Sequence, residues 1–308
     1  MSQEEITRSF SVSSLPARLS VRNIQGNVQI RRGDAGEITV TAIKHTGTGN
    51  AEATEIYIEQ ESNGQVRVET RYPNPILGIL TFMKPCRVDY QIQAPRECSI
   101  DLSVVSSTVE IEGMDGSHEV KTVSGDVNLK EVAGKLQVNT VSGDIRGSTL
   151  SGDSYLKTVS GDVNFTQCKY SEITSSSVSG DFRIELLDPQ EGRYQFKTVS
   201  GNTRLVLPFG SGFKLSYHTQ SGSFRTDAGS TNSTWSRGQH SGTYHGGGSD
   251  ISMRSVSGDL RILYSGAGSK ERPEEPSKVH AKADLGDLLE RIDRGELSVD
   301  QALSLMNE

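Results

Sequence analysis

The chain has 308 residues, a net charge of −7 and only 33% apolar residues beside 32 glycines, which suits a thin core lined by short strands. It shows no basic stripe or polybasic cluster, so we expect no nucleic-acid partner and no binding to an anionic lipid surface. Its three cysteines show no pattern of a disulfide framework. Residues 1–14 do not resemble a signal peptide, and no apolar run is long enough for an integral membrane segment. A cytoplasmic location is therefore predicted.

Residues 1–100 form the first predicted domain, an N-terminal β portion. Its early segment Val21–Ile30 already carries a copy of the repeat described below. Apolar and polar residues then alternate with period two, which is typical of half-buried strands. The strands predicted in this way are 37–43, 53–60, 65–72 and 87–94. Because an open coil end is an adhesive sheet edge, we expect this portion to cap one end of the repeat.

An apolar segment bounded by prolines interrupts this portion at residues 73–85. We favour a plug over the hydrophobic end of the coil. The alternative is an exposed docking patch for another subunit or for a membrane surface. The interaction candidates on that alternative are Ile76, Leu77, Ile79, Leu80, Phe82 and Met83.

Residues 101–264 form the second predicted domain, in which one short pattern recurs. Each copy has an apolar residue, two further residues, an apolar residue, Ser-Gly-Asp and then alternating apolar residues, as in Val120–Leu129. The residue before each Ser-Gly recurs three times at intervals of 18 residues, and then at intervals of 19, 21, 21, 20 and 16. An internal period of this length predicts a stacked β architecture.

The side-chain parity changes inside each copy. Val120 and Val123 cannot both face the core from one continuous strand, because successive side chains alternate. A corner therefore lies at the Ser-Gly step, and a second corner is signalled nine residues later. We predict an all-β fold, a right-handed parallel β-helix or β-roll with coils of about 18–21 residues. A series of antiparallel hairpins is the alternative.

Stacked coils place equivalent residues in columns. One predicted inward column contains Val123, Val141, Val159, Val178 and Val199. A second contains Met114, Val132, Leu150 and Cys168. We expect Cys168 to be buried and unreactive, since no polar partner for a reactive thiol lies near it in sequence.

The repeat also aligns a column of carboxylates, which repel one another at the ~4.8 Å spacing of parallel strands. Calcium would offset that repulsion, but the motif lacks the nine-residue spacing and paired glycines of calcium-binding β-rolls. We favour capping of each turn by its own carboxylate. The metal candidates are Asp126, Asp144, Asp162 and Asp181, and no cofactor is predicted.

Two further groups lie late in the repeat. The spacing of the first, a loose histidine constellation, matches no standard metal-ligand pattern. It contains His218, His240, His245 and Asp250. The second group either lines a carbohydrate-binding face or fills the wider coils, which we favour. It contains Phe213, Tyr217, Trp235 and Tyr244. No nucleophile or nucleotide motif is present, and the protein is not predicted to be an enzyme.

The pattern changes beyond the repeat. Residues 265–283 are a charged, proline-containing linker. Residues 284–308 then follow a helical period, and Ser298 with Gln301 forms a capping box for the second helix of an α-hairpin. Two helices this short are unstable alone, so we expect a module that binds a protein partner or self-associates, with a homo-oligomer as one outcome. Its interaction candidates are Leu288, Leu289, Ile292, Leu303 and Met306.

Three sequence features together resemble the bacterial putative-adhesin family, a domain of unknown function with β-helix-like repeats. They are the recurrent Val-Ser-Gly-Asp, the opening Leu19–Ile30, and Val88–Pro95 directly before the repeats. The resemblance covers about residues 10–264. The tail Leu288–Ala302 resembles the short helical-hairpin, SHOCT-like modules that accompany this family. The resemblance implies no catalytic residues.

Three functions are considered. We favour a non-enzymatic scaffold or interaction protein that has a β-helix platform and a C-terminal association module. A surface adhesin or carbohydrate-binding protein is the alternative. A β-helix polysaccharide-degrading enzyme is the least favoured, because no convincing pair of catalytic residues is found.

Overall fold

The fold was analysed in a computed structural model, which describes residues 3–71, 86–189, 191–236 and 238–265. Every regular element in these ranges is a β-strand. The strands are β1 (Gln3–Ser11), β2 (Ala17–Gln25), β3 (Val28–Arg32), β4 (Glu37–His45), β5 (Glu55–Gln60), β6 (Val66–Arg71), β7 (Arg87–Ala94), β8 (Cys98–Ser106), β9 (Val109–Glu112), β10 (Asp115–Thr122), β11 (Val127–Lys130), β12 (Ala133–Thr140), β13 (Ile145–Ser148), β14 (Ser151–Lys157), β15 (Val163–Ser177), β16 (Phe182–Leu186), β17 (Arg193–Thr198), β18 (Thr203–Leu207), β19 (Phe213–His218), β20 (Phe224–Thr226), β21 (Ser230–Ser236), β22 (Gln239–Tyr244), β23 (Ser249–Ser255) and β24 (Leu260–Tyr264).

The strands form two sheets, and each coil of the repeat contributes one strand to each sheet. In spatial order, sheet A is β1-β4-β7-β3-β9-β11-β13-β15-β16-β18-β24-β20. Sheet B is β5-β6-β2-β8-β10-β12-β14-β15-β17-β23-β19-β22-β21. The long strand β15 belongs to both sheets. Apolar side chains from both sheets fill the space inside the coils.

The pairing register explains the sequence period. Val120 of β10 lies beside Val138 of β12, which lies beside Leu156 of β14, and both pairs are parallel and 18 residues apart. The predicted parallel stacking of coils is therefore correct, and the antiparallel-hairpin alternative is wrong for this part of the chain. The right-handed sense of the coil stays a prediction.

The coils do not follow chain order at either end of the stack. The coil β2–β3 lies between β6–β7 and β8–β9. Likewise, the last coil in sequence, β23–β24, lies between β17–β18 and β19–β20. This arrangement was not predicted, and it brings residues 193–198, 213–218 and 249–255 side by side on sheet B.

Antiparallel strands extend both ends of the stack. β4 lies between β1 and β7 in sheet A, β5 pairs with β6 in sheet B, and the pair β21–β22 extends sheet B beyond β19. The strands predicted between residues 37 and 94 are confirmed with small shifts in their ends. The apolar segment 73–85 and the C-terminal hairpin 284–308, with all their interaction candidates, lie outside the described residues.

The predicted column of inward valines needs correction. Val141 and Val159 are buried, but Val123 and Val178 are only half-buried and Val199 is 47% exposed. Each of these valines stands at the corner itself, and the inward position belongs to the residue before it. The buried column at that position consists of Thr122, Thr140, Thr158, Ser177 and Thr198.

Four of these five hydroxyls hold the corner in shape, those of Thr140, Thr158, Ser177 and Thr198. Thr158 Oγ1 accepts a hydrogen bond of 2.9 Å from the backbone N–H of Gly161. The same contact recurs at Thr140, Ser177, Thr198 and Thr219, each with the glycine three residues later. The chain therefore turns where the side-chain parity changes, as the sequence predicted.

The second predicted column is confirmed. Met114, Val132, Leu150 and Cys168 are all buried. Burial raises the pKa of the Cys168 thiol to about 12, as expected for a packing residue and not a reactive one. Among the described residues, no helix has the length and apolar character needed to cross a membrane.

Candidate functional site

The column of aspartates links one coil to the next. Oδ1 of Asp126 accepts a hydrogen bond of 3.1 Å from the backbone N–H of Asp144. The same link joins Asp144 to Asp162, Asp162 to Asp181, Asp181 to Asn202, Asn202 to Asp259, and Asp259 to Ser223. Each carboxylate thus caps the turn of the neighbouring coil, and not its own turn as predicted. The order of links follows the coils in space, with Asp259 inserted between Asn202 and Ser223.

Within the described ranges, no group of three or more histidine, cysteine or acidic side chains is placed to hold a metal ion. Arg146 bridges the column instead: its guanidinium lies 3.1 Å from Asp126 and 2.6 Å from Asp144. A cation of the chain itself therefore offsets part of the repulsion that the sequence predicted. The predicted histidine constellation is dispersed, since His218 contacts Gln239 and His240 contacts Tyr244.

A shallow depression on the outer face of sheet A crosses β9, β11 and β13. Its charged side chains pair with one another. Lys130 Nζ lies 2.6 Å from Glu112, and Arg31 lies 3.7 Å from Glu110. Because these charges are already paired with one another, the depression has little unbalanced electrostatic potential to attract a charged ligand.

Further along sheet A, four arginines stand in register on adjacent strands. They are Arg183, Arg204, Arg261 and Arg225. Four acidic residues lie on or directly beside the same strands. They are Asp181, Glu185, Asp259 and Asp227. The numbers of basic and acidic residues on this part of sheet A are therefore equal.

The outer face of sheet B differs where β17, β23 and β19 lie side by side. Their outward residues form three rows of three. The first row is Arg193, Asp250 and Lys214, the middle row is Gln195, Ser252 and Ser216, and the third row is Lys197, Arg254 and His218. Basic side chains thus stand on both sides of a middle row of uncharged polar ones. We call these nine residues the basic trough.

The charges of the basic trough are unbalanced. Its two outer rows carry four fixed cations and one carboxylate, Asp250. Arg193, Lys197, Lys214 and Arg254 are exposed, and none of them forms an ion pair with another described residue. Lys197 and Arg254 lie directly opposite each other on paired strands, an arrangement of like charges that destabilises a sheet. An anion bound between them would remove that cost.

The middle row forms a polar floor. Depressions of about 260 and 270 Å³ lie on its two sides and share Gln195, Ser216 and Ser252 in their linings. His218 is fixed at one end of the third row. One ring nitrogen lies 2.9 Å from Gln239 Nε2 and the other 3.3 Å from Ser216 Oγ. The floor therefore offers hydroxyl and amide groups between two basic walls.

The aromatic residues singled out in the sequence lie on the inner side of the same coils. Phe213, Tyr217 and Tyr244 are buried, and Phe213 stacks on Tyr244 with ring centroids 4.6 Å apart. The prediction that they fill the wider coils is confirmed. Trp235 differs: it covers His240 at the end of the stack and remains 62% exposed.

Sequence reasoning missed the basic trough. Each strand shows only a short signal, such as Arg193-Tyr-Gln-Phe-Lys197, in which alternate residues are polar and the outer two are basic. The signal becomes strong only when the three strands are aligned side by side. That alignment depends on the insertion of β23 between β17 and β19.

Comparison with known proteins identifies a matching family. The chain matches the family described as Toastrack DUF4097 over residues 17–263. No curated protein matches it. Among solved structures it is similar to a putative adhesin from Parabacteroides distasonis, with 10% identity, 84% of this chain and 97% of that chain covered, and a TM-score of 0.42.

Two other solved structures show a similar level of likeness. A putative adhesin from Bacteroides fragilis has 11% identity, covers 84% of this chain and 97% of that chain, and gives a TM-score of 0.42. A putative lipid binding protein from P. distasonis has 10% identity, covers 84% of this chain and 96% of that chain, and gives a TM-score of 0.32. Since the family match spans most of the chain, from β2 almost to the end of β24, this protein belongs to the Toastrack DUF4097 family.

Proposed function

We propose that this chain is a non-enzymatic binding protein whose two-sheet solenoid holds an extended ligand in the basic trough. The observation that carries the proposal is the unpaired charge of Arg193, Lys197, Lys214 and Arg254. Elsewhere on the surface, cations such as Arg146 and Lys130 pair with neighbouring carboxylates. Unpaired cations on two sides of a β-sheet face are suited to retaining a ligand of opposite charge.

The chemistry of the trough favours binding over turnover. Hydrolysis of glycosides commonly uses two carboxyl groups that flank the scissile bond, and the trough contains only Asp250. His218, the histidine of the trough, is held by Ser216 and Gln239. Both the scaffold and the adhesin hypotheses need only a binding surface, which the trough supplies.

A paired-variant experiment tests this function in the full chain. The trough variant carries Lys197→Gln and Arg254→Gln, and the control variant carries Arg183→Gln and Arg225→Gln on the opposite sheet. Both remove two exposed arginine or lysine charges. A panel of immobilised neutral and charged polymers is incubated with each protein. Bound protein and the length of the recovered polymer are then measured.

We expect wild type and the control variant to bind at least one polymer, the trough variant to lose that binding, and the polymer to keep its length. Equal binding by wild type and the trough variant contradicts the proposal. So does shortening of the polymer that disappears in the trough variant, because it would show catalysis.

Protein association through residues 284–308 is a second candidate function. The support is the helical period of Leu288, Leu289 and Ile292 followed by the capping box at Ser298. Removal of residues 284–308 should lower the oligomeric order measured by light scattering. An unchanged mass would contradict this role and would leave the trough proposal unaffected.

A further inference from the structure

We infer that the ligand of the basic trough is an anionic polysaccharide, a chain of sugars with repeated acidic groups that lies along the axis of the solenoid. This inference rests on the proposed binding function and names the chemistry of the ligand. Three features carry it: the shape of the trough, the placement of its charges and the composition of its floor.

The trough runs across the strands. Its two basic rows are four residues apart along each strand, which corresponds to about 13 Å between their backbones. The middle row continues over the next two strands, since Ser216 lies beside Ser241 of β22 and Ser241 lies beside Thr234 of β21. Five strands give a polar path of about 19 Å, long enough for a polymer segment.

The charges lie on both walls of this path. Arg193 and Lys214 stand on one side, and Lys197 and Arg254 on the other. A polymer in the middle row therefore meets cations from two directions and at successive strands. Repeated anionic groups fit that pattern better than a single charged molecule, because each acidic group finds its own partner.

The floor favours sugars over nucleic acid. Gln195, Ser216 and Ser252 offer hydroxyl and amide groups, which can donate to and accept from the hydroxyls of a sugar ring. Proteins that bind single-stranded nucleic acid stack the bases on aromatic side chains, and the nine residues of the trough include no phenylalanine, tyrosine or tryptophan.

The test measures affinity of the full chain for four soluble probes: polygalacturonate, dextran sulfate, neutral dextran and single-stranded oligothymidylate. The two acidic polysaccharides separate carboxylate from sulfate as the source of the anionic groups. Each probe is measured with wild type, the trough variant and the control variant at two salt concentrations.

We expect at least one acidic polysaccharide to bind wild type at least about tenfold more tightly than neutral dextran, since one charge-assisted contact is worth about that factor. Binding should weaken in high salt. The trough variant should lose about tenfold or more in affinity, and the control variant should remain within about twofold of wild type.

Some outcomes overturn only the ligand assignment. If neutral dextran or oligothymidylate binds most tightly and the trough variant loses that binding, the trough is a binding site for a different class of ligand. Other outcomes overturn the binding function as well: no probe binds wild type, or the trough and control variants lose affinity equally.

Discussion

Asp162 Oδ1 accepts a hydrogen bond of 2.9 Å from the backbone N–H of Asp181, 19 residues later in the chain. The bond joins two neighbouring coils at one corner, so it stabilises the stacking of one coil on the next. A net contribution of about 1.5–3 kcal/mol is typical for a hydrogen bond with a charged acceptor. Asp162→Ala should lower the free energy of unfolding by that amount in urea titrations.

The matched variant is Asp162→Asn, which keeps an oxygen acceptor at the same position. Asn202 already makes this link in the native column, where its Oδ1 accepts from the N–H of Asp259. We therefore expect Asp162→Asn to lose much less stability than Asp162→Ala. Equal losses would show that the negative charge matters more than the link between coils.

Calcium should not stabilise the protein. Oδ1 atoms along the aspartate column already accept backbone N–H groups, and Arg146 occupies the outer side of Asp126 and Asp144. The melting temperature measured by circular dichroism should be the same in calcium and in a chelator. A calcium-dependent rise that disappears in Asp162→Ala would instead assign the column as a metal site.

Glycine is required at the corner because the coils approach each other closely there. A Cβ atom on Gly161 would lie 2.0 Å from the carbonyl oxygen of Gly143 in the preceding coil. The neighbour is backbone and cannot rotate away. Gly161→Ala should therefore cost about 3 kcal/mol or more, at the upper end of overpacking effects.

Gly229→Ala is the control for this substitution, since a Cβ there meets no atom within 4 Å. It should change the free energy of unfolding by less than about 0.5 kcal/mol. If Gly161→Ala is too unstable to purify, the soluble yield of the two variants gives the comparison. Equal yields and equal unfolding curves would contradict the close-packed corner.

The period, the corners and one core column could be predicted from the sequence because each follows from local chemistry. Ser-Gly marks a place where backbones touch, and Met114 with its equivalents marks the core. The prediction of an inward valine column failed, most clearly at Val199, because the residue at a corner has no fixed face. A period alone cannot tell which of two adjacent residues, Thr198 or Val199, turns inward.

The order of coils and the basic trough depend on pairing between distant segments. Intervals of 21, 20 and 16 residues show that the late repeat is irregular, but they do not specify that β23 pairs with β17. Lys197 and Arg254 are 57 positions apart in number and meet only through that pairing. Single basic residues on short strands are ordinary surface features until the register aligns them.

The thiols should be unreactive in the native protein. Cys86, Cys98 and Cys168 are free and buried, and burial raises the pKa of both Cys98 and Cys168 to about 12. Near pH 8 each of these two thiols is ionised in only about one molecule in ten thousand. The thiolate is the reactive form. Ellman's reagent should detect no rapid reaction in buffer and three thiols in concentrated urea. A fast-reacting native thiol would show that a cysteine is accessible.

His118 should make the protein less stable in mild acid. Its ring is 1% exposed and lies in register between Ile100 and Leu136 in the neighbouring coils. Burial lowers the pKa of His118 to about 4, although the charge of Asp115 acts in the opposite direction. In the unfolded chain the imidazole titrates near its ordinary pKa of about 6.5.

The direction of this pH effect on stability follows from proton binding in the two states. Between those two values the unfolded chain binds a proton that the folded chain excludes, so lowering the pH favours unfolding. The contribution of neutral His118 is fully present above about pH 6.5 and is lost as the pH falls to about 4, a change on the order of 3 kcal/mol. Urea titrations across this range should therefore show a falling free energy of unfolding.

His118→Leu should remove this part of the pH dependence, because it places in the column the same side chain that the next coil has at Leu136. We expect the variant to fold, to equal or exceed wild type in stability near pH 7, and to lose less stability than wild type toward pH 4. His245→Gln, at an exposed position, is the control and should keep the wild-type profile. If wild type and His118→Leu lose stability in parallel, other groups govern the acid sensitivity and His118 is not buried in its neutral form.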